Sequence, residues 1–503
     1  AVARLDAGEA RLTPEAARER LEALGYVDPA GALRHLEALT SGVTRRAAIQ
    51  RTLLPVMLGW FADSPDPDAG LLGFRRVSDS LGATHWYLGL LRDESAAAER
   101  MARVLSSSRY ATDLLLKAPE AVAMLADPEE LAPHTLASLT AEAEAAAARQ
   151  DDPGEAVAAV RAVRRRELFR TSTADVLGLL DVDRVGGALA DITEATLVAA
   201  TQAAIRAVAA RRGEDALPTR FAVIAMGRFG GRESGYGSDA DVLFVHDPVE
   251  GADEEDAGRA AFAVANELRS LLMTPSTDPP LEVDADLRPE GRQGPLVRSL
   301  VSYQAYYDRY ALVWEAQALL RARPVAGDAA LGEDFLALVD PIRWPQAGLA
   351  EVDLREIRRI KSRVEAERLP RGADPTLHTK LGRGGLADVE WLVQTLQLQH
   401  AGAAPGLRTT RTLDAMAAAV SAGLLDEADA AVLAESWRLC SRVRNGLVLG
   451  RGKAGDMVPS DVRELRLLSH VLGYPPGQTG RFVDDYRRIT RRARAVVERV
   501  FYG

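Results

Sequence analysis

The segment 227–247, GRFGGRESGYGSDADVLFVHD, constrains the fold of this chain more than any other. Gly230 and Gly231 are followed by Asp239 and Asp241, and then by an apolar run of strand length. Glycines let backbone N–H groups approach a phosphate closely, and a helix starting at the pair would direct its positive end at that phosphate. Two carboxylates two residues apart on an extended chain point to the same face. The segment therefore predicts a site that holds a triphosphate and Mg²⁺ together.

Length and cysteine content set the general class of the protein. A chain of 503 residues is expected to form about three domains of roughly 100 to 200 residues each. The single cysteine, Cys440, excludes internal disulfides and indicates a reducing, cytoplasmic setting. No apolar run approaches the roughly 18 residues of a membrane span, and the N-terminus does not resemble a signal peptide. Because the chain begins with Ala1 and not with Met, we expect it to be a piece of a longer protein.

The charge balance is acidic, with a formal net charge of −10. Phosphate contacts along nucleic acid normally require a basic face, so nucleic acid is not expected as the main partner.

Three regions follow from the pattern along the chain. Residues 1–205 read as helices with short breaks, rich in Ala, Leu, Glu and Arg, and predict a helical region. Residues 206–345 mix strand-like and helical segments and predict a small α/β domain. Residues 346–503 return to helical periodicity and predict a C-terminal helical bundle. The fold class is therefore mainly α with a small α/β domain.

The middle region contains the predicted strands. The runs 221–227 and 241–247 are apolar and of strand length, and 281–289 is a third candidate. The segment 254–273 has helical periodicity. The order strand, loop, strand, helix, strand predicts a small mixed sheet flanked by helices.

An acidic cluster is the sharpest candidate for chemistry. On the predicted strand 281–289, Asp284 and Asp286 alternate with apolar residues, so both carboxylates would face away from the core. Pairing with 241–247 would bring a third carboxylate to Asp239 and Asp241. Three carboxylates can hold two Mg²⁺ ions roughly 3.5 to 4 Å apart for in-line attack at phosphorus. The alternative is that these aspartates cap turns and strand ends.

The pattern Gly-Gly, seven residues, Asp-x-Asp, then strand resembles the nucleotidyltransferase superfamily that includes DNA polymerase beta. Four ordered blocks, at 227–247, 282–291, 314–328 and 380–399, are similar to the glutamine synthetase adenylyltransferase family. The resemblance implies that 206–345 is a nucleotidyltransferase domain with a polymerase-beta-like fold, flanked by helical bundles, and that 1–205 is a helical inter-domain region. It also implies transfer of AMP from ATP to a tyrosine hydroxyl of glutamine synthetase, with release of pyrophosphate, by a two-Mg²⁺ mechanism. Details such as ESGYGSDAD resemble the C-terminal, attaching half.

The resemblance also implies partners and site residues. The expected partners are glutamine synthetase, a PII-type signalling protein and glutamine as an effector, with no nucleic acid and no membrane. Asp239, Asp241 and Asp284 are expected to be catalytic and to bind metal, although Asp286 stands where the family often has Arg and competes for the third position. The residues expected to bind ATP are Gly230, Gly231, Arg232, Gly237, Ser238, Arg288 and Lys380. For Arg232 and Arg288 a salt-bridged or solvated charge is an equal alternative, and for Lys380 a helix cap is the simpler one.

Other functions stay open. The phosphorolytic half of the same family would remove AMP, and a non-catalytic nucleotide-sensing module would keep the fold and lose the chemistry. A nucleic-acid-extending polymerase is weakened by the acidic balance and by the lack of a basic stretch interleaved with aromatic residues.

Overall fold

The computed structural model describes residues 13–81 and 84–503. Ten α-helices precede the first strand: α1 (Pro14–Ala23), α2 (Pro29–Thr40), α3 (Arg45–Ala62), α4 (Pro67–Leu81), α5 (His85–Asp93), α6 (Ser95–Ser107), α7 (Arg109–Lys117), α8 (Leu136–Ala148), α9 (Pro153–Val176) and α10 (Val182–Arg212). Two short 3-10 helices, Pro119–Leu125 and Pro128–Leu131, connect α7 to α8. Within these described residues no β-strand occurs before residue 219, which confirms the helical prediction there.

Short polar side chains start the long helices of this region. The Asp152 carboxylate accepts a hydrogen bond from the Glu155 N–H before α9, and the Asp181 carboxylate accepts one from the Arg184 N–H before α10. Each bond satisfies an N–H group that has no partner within the helix. The α10 helix ends at Gly213, whose φ of 70° is left-handed and suits glycine.

A five-stranded mixed sheet follows. Its strands are β1 (Thr219–Ala225), β2 (Ala240–Pro248), β3 (Val283–Asp284), β4 (Val297–Ser299) and β5 (Arg323–Gly327). The order is β3-β2-β1-β5, and β4 also pairs with β2. The β1 strand is antiparallel to β2 and to β5, whereas β3 and β4 are parallel to β2. The helices between them are α11 (Gly227–Gly230), α12 (Glu254–Met273), α13 (Leu300–Tyr310) and α14 (Val313–Leu319), and α15 (Ala329–Arg343) follows β5.

The predicted strands meet different outcomes. The strand 241–247 and the helix 254–273 are confirmed, and the strand 221–227 lies two residues earlier than predicted. The strand predicted over 281–289 is wrong beyond Val283–Asp284. The chain turns there because the Asp286 N–H donates to Oδ1 of Asp284 at 2.7 Å, a local bond that competes with strand pairing.

The two faces of the sheet are covered by different helices. Phe221, Val242 and Phe244 face α10 and α12 in one core. Leu243 and Val245 belong to a second core with residues of α13 and α15. This alternation with a period of two is expected for a strand that is buried on both faces. Polar side chains are partly exposed where β2 and β3 begin.

The C-terminal part is helical, as predicted. It contains α16 (Glu351–Glu367), α17 (Leu386–His400), α18 (Thr412–Ser421), α19 (Glu427–Arg451), α20 (Val462–Val471) and α21 (Thr479–Val497), and a π-helical turn, Glu498–Tyr502. A 3-10 turn, Pro405–Leu407, lies between α17 and α18. Cys440 is fully buried in the core of this bundle.

The predicted domain boundaries fall at different places in the fold. The one between residues 205 and 206 lies inside α10, and the one between 345 and 346 lies between α15 and α16. The division into three domains stays a prediction. Among the described helices, none is both long and apolar enough to cross a membrane.

Candidate active site

Three carboxylates meet where β2 and β3 begin to pair. Asp241 in β2 lies directly opposite Asp284 in β3, and the Ala240 N–H donates to the Glu282 carbonyl at 2.9 Å. Facing residues of neighbouring strands project to the same side of a sheet, and Asp239 lies two residues before Asp241. All three line one cleft with a volume of about 380 Å³.

Burial and mutual repulsion raise the pKa values of Asp239 and Asp241 in this cluster. Burial raises the pKa of Asp241 to about 7, and the neighbouring Asp284 and Asp239 add to the shift while Lys380 opposes it. The pKa of Asp239 is also raised, by burial first and then by Glu282 and Asp284. The site therefore gains stability from a nearby positive charge.

The structure separates the two candidates for the third acid. Asp284 lines the cleft, whereas Asp286 lies in the turn after β3, where Nε of Arg292 donates to its Oδ2 at 2.5 Å. The expectation that both carboxylates share one face of a strand is wrong, because the strand ends at Asp284. Asp286 is not among the residues that line the cleft.

Gly227 is a glycine of the site that was not predicted. Its φ is 52°, and the neighbouring Met226 N–H donates to the Asp241 carbonyl at 2.8 Å. A Cβ atom at this position would overlap Oδ2 of Asp241. The carboxylate of Asp241 therefore occupies the space that the missing side chain leaves.

Replacing Gly227 with Ala is expected to impair cation binding as well as stability. The left-handed backbone alone costs about 1–2 kcal/mol for a residue with a Cβ, and the overlap would also displace the Asp241 carboxylate. Thermal unfolding and calorimetric titration with Mg²⁺ measure the two effects. Gly213→Ala is the matched control, because Gly213 has a φ of 70° and no atom within 4 Å of the position that a Cβ would take. Equal Mg²⁺ affinity in the two variants would contradict the expectation.

The predicted glycine pair has a packing role in this structure. The helix α11 ends at Gly230, so the expectation of a helix that starts at the pair is wrong. A Cβ on Gly230 would overlap the Arg321 carbonyl, and one on Gly231 would overlap the Arg321 guanidinium. Neither glycine lines the cleft. Both positions need glycine because Arg321 packs directly against them.

Positively charged side chains line the same cleft as the acids. Lys380 precedes α17, Arg228 lies in α11, and Arg444 lies in α19; all three line the cleft. Arg228 is tethered, since its Nε donates to the Glu233 carbonyl at 2.8 Å and its Nη2 to Oγ of Ser441 at 3.1 Å. The cleft thus combines clustered acids with fixed cations, and Glu390, which also lines it, pairs with Nη1 of Arg228 at 3.5 Å.

Among the described residues, Asp456 is the one side chain that holds the Arg444 guanidinium. Its Nε donates to Oδ1 of Asp456 at 2.6 Å, and the Asp456 carbonyl accepts from the Thr379 N–H at 2.7 Å next to Lys380. This bond fixes the guanidinium while its terminal nitrogens remain available to the cleft.

Two predicted phosphate ligands lie elsewhere. Nη2 of Arg232 pairs with Oδ1 of Asp191 in α10 at 2.7 Å. Arg288 is buried and donates to three backbone carbonyls, those of Ala285, Arg292 and Gly294, at 2.8 to 3.1 Å. Neither guanidinium lines the cleft, and both hold loops in place. Of the other predicted ligands, Gly237, Ser238 and Lys380 do line it.

Several cleft residues were not in the predicted site: Gly227, Arg228, Arg321, Leu386, Glu390, Gln394 and Arg444. Most belong to the sequence blocks that carried the family resemblance, which was the available signal. Arg444 lies outside those blocks, and its sequence context offers no signal that would have marked it.

A cleft lined by convergent carboxylates and by fixed cations is the type of site that binds an anionic ligand together with divalent cations. The chain that forms it belongs to the glutamine synthetase adenylyltransferase family. The family model described as glutamate-ammonia ligase adenylyltransferase matches residues 98–338. A second model, described as GlnD PII-uridylyltransferase, matches residues 358–501.

Curated relatives agree with this assignment. Three proteins named bifunctional glutamine synthetase adenylyltransferase/adenylyl-removing enzyme are similar over all of this chain: 63% identical in Streptomyces avermitilis, 61% in Streptomyces coelicolor and 54% in Nocardia farcinica. The chain covers 52%, 52% and 50% of these relatives. It therefore spans about half the length of the curated relatives it matches.

Proposed function

We propose that this chain transfers AMP from ATP to a tyrosine hydroxyl of glutamine synthetase and releases pyrophosphate. The observation that carries the proposal is the cleft in which Asp239, Asp241 and Asp284 face Arg228, Lys380 and Arg444. The names of the relatives supply the substrate protein. In this proposal the mixed sheet is the core of a polymerase-beta-like nucleotidyltransferase fold.

The donor set fits Mg²⁺. Three carboxylates offer hard oxygen ligands in one cleft. Burial, together with repulsion from Asp284 and Asp239, raises the pKa of Asp241 to about 7, a shift that a bound cation would oppose. When bound, two Mg²⁺ ions would supply electrostatic stabilisation of the attacking and leaving oxygens. Asp239, Asp241 and Asp284 are the residues that would hold them.

The triphosphate is proposed to lie against the cations of the cleft. Lys380, Arg228 and Arg444 neutralise phosphate oxygens there, while the Gly237 N–H and the Ser238 hydroxyl approach them. A Cβ on Gly237 would lie 2.8 Å from Cβ of Ala454, so this turn is pressed against the C-terminal part of the chain. The phosphates thus reach residues of the sheet and of the helical bundle at once.

The proton of the tyrosine hydroxyl needs an acceptor, because its ordinary pKa is about 10. We propose Asp284 for this role. One of its oxygens accepts the Asp286 N–H at 2.7 Å, which fixes the carboxylate and leaves the other oxygen for the proton or the cation.

The finer assignments are also proposals. The chain is assigned to the C-terminal, attaching half of its family, in the cytoplasm, with glutamine and a PII-type protein as regulators. The name of the model that matches residues 358–501 supports the PII-type partner. The phosphorolytic half of the same family and a non-catalytic nucleotide-sensing module are the alternatives.

Mass spectrometry of glutamine synthetase tests the proposal. After incubation with the chain, ATP and Mg²⁺, we expect one peptide with a tyrosine to gain the mass of AMP, and we expect EDTA to prevent this. The converse assay uses AMP-modified glutamine synthetase and inorganic phosphate. Removal of AMP without any attachment would assign the chain to the phosphorolytic half, and ATP binding without either reaction would favour the sensing module.

A further inference from the structure

Tyr236 ties the turn before the acidic cluster to α9, and Arg232, just ahead of that turn, pairs with Asp191 of α10. Tyr236 reaches out of the turn Gly235–Asp239, and its hydroxyl donates to Oδ2 of Asp175 in α9 at 3.0 Å. Its ring lies 5.4 Å from the ring of Tyr110 in α7. Tyr236 is thereby packed against the core of the helical region.

The turn itself is closed by local bonds. The Gly235 N–H donates to Oγ of Ser238 at 2.9 Å, and the Ser238 N–H donates to the Gly235 carbonyl at 3.1 Å. These bonds fix the shape of the turn without fixing where it stands relative to the sheet. On its other side the turn meets α19, since a Cβ on Gly235 would lie 2.9 Å from Oδ1 of Asn445.

Asp175 is well suited to hold a hydroxyl. Burial raises its pKa to about 6, while the Tyr236 hydroxyl and Arg442 act in the opposite direction. A hydrogen bond to a carboxylate is about twice as strong as one between neutral groups. Asp175 does not line the cleft; it lines a separate cavity of about 740 Å³ at the turn between α9 and α10.

We propose that Tyr236 and Asp175 are a positioning pair, which sets the place of Ser238 and Asp239 in the cleft from the helical region. The inference rests on the proposed function for its catalytic meaning. Its structural part, a turn held against α9 by the hydrogen bond between Tyr236 and Asp175, does not depend on the proposed function. A shift of α9 relative to the sheet would move Tyr236, and Asp239 follows it by three residues.

Hydrogen exchange followed by mass spectrometry tests the anchor without any assay of activity. In Tyr236→Phe, peptides covering 232–240 are expected to exchange about tenfold faster than in the wild-type chain, since a hydrogen bond to a charged group is removed. Peptides from β1 and α12 are expected to be unchanged. Asp175→Asn keeps a neutral acceptor and should give a smaller increase.

Tyr110→Phe is the matched control. Among the hydrogen bonds of the described residues none involves the Tyr110 hydroxyl, so its loss leaves the turn anchored. Unchanged exchange over 232–240 in Tyr236→Phe would overturn the proposal. If Tyr236→Phe were too unstable to compare, Asp175→Asn would decide in the same way, with unchanged exchange again against the pair.

The catalytic consequence has its own readout. In Tyr236→Phe the Mg²⁺ concentration at half-maximal AMP transfer is expected to rise, with a lower kcat and a KM for glutamine synthetase close to wild type. A purely structural role of Tyr236 would leave the Mg²⁺ requirement unchanged. Absence of AMP transfer in the wild-type chain would refute the proposed function, while the exchange result would still decide whether the pair holds the turn.

Discussion

Replacing Asp239 and Asp241 together with Asn is expected to lower AMP transfer by on the order of 10³-fold or more, because bound cations contribute several kcal/mol to transition-state stabilisation. Asn keeps the size of the side chain and removes the charge that holds the cation. The rate is measured by mass spectrometry of glutamine synthetase at saturating ATP. A double variant with near wild-type rates would falsify the assignment of the cleft.

The same substitution is expected to stabilise the fold when no divalent cation is present. The pKa of Asp241 is about 7 in the folded chain and about 3.9 for a free carboxyl, so the folded state holds a proton that the unfolded state releases. The resulting loss in the free energy of unfolding is absent below pH 4, grows between pH 4 and pH 7, and is complete above pH 7. Removing it should add up to about 4 kcal/mol at pH 8 in EDTA. Lost activity together with a higher melting temperature would separate a chemical role from unfolding.

Asp286→Asn is the matched control for this experiment. Asp286 is two residues from Asp284 but lies outside the cleft lining, with its carboxylate bonded to Arg292. We expect AMP transfer close to wild type. If Asp286→Asn lowered the rate of AMP transfer as much as the double variant does, removing any negative charge near the turn would be enough to stop the reaction. That result would contradict the placement of the site.

Local patterns in the sequence predicted the centre of the fold. The apolar run at β2 and the helical periodicity of α12 are each decided by neighbours along the chain, and both predictions were confirmed. The alternation over 281–289 was misleading because an aspartate that bonds the N–H two residues later gives the same pattern as a strand. The short strands β4 and β5 were not predicted. The β5 strand includes Pro324, and a proline in a sequence argues against a strand.

Contacts that no sequence pattern shows explain which predicted residues lie outside the cleft and which cleft residues were not predicted. Gly230 and Gly231 are typical of a phosphate-binding loop, yet the group they accommodate is Arg321, which comes some 90 positions later. Arg232 and Arg288 have the right charge for phosphates, but Asp191 of α10 binds Arg232, and backbone carbonyls of the adjoining turn bind Arg288. Arg444 enters the cleft because α19 packs against α17 and α10, which no local pattern encodes. The acids were predictable because strand geometry places them.

Glu233→Ala is expected to be the most destabilising single substitution near the site. Glu233 and Arg321 are both about 5% exposed, and Nη1 of Arg321 donates to Oε2 of Glu233 at 2.7 Å. Glu233 also accepts from the N–H and the hydroxyl of Thr412, at 2.5 and 2.9 Å. Removing the carboxylate leaves a buried guanidinium without its counter-charge and a helix start without its acceptor. Breaking a buried pair from one side costs about 3–5 kcal/mol.

The free energy of unfolding from urea titration measures this loss, with Glu255→Ala as the control. Glu255 pairs with Arg259 on the surface, where the two side chains are 84% and 58% exposed, and such a pair contributes about 1 kcal/mol at most. Glu233→Gln keeps acceptors for Thr412 while losing the charge, and should fall between the two. Because Arg321 also packs against Gly230 and Gly231, a freed guanidinium should loosen the turn that carries Arg228 into the cleft. A loss for Glu233→Ala no larger than that of Glu255→Ala would mean that water or another acid compensates Arg321, and that the glycine pair needs a different explanation.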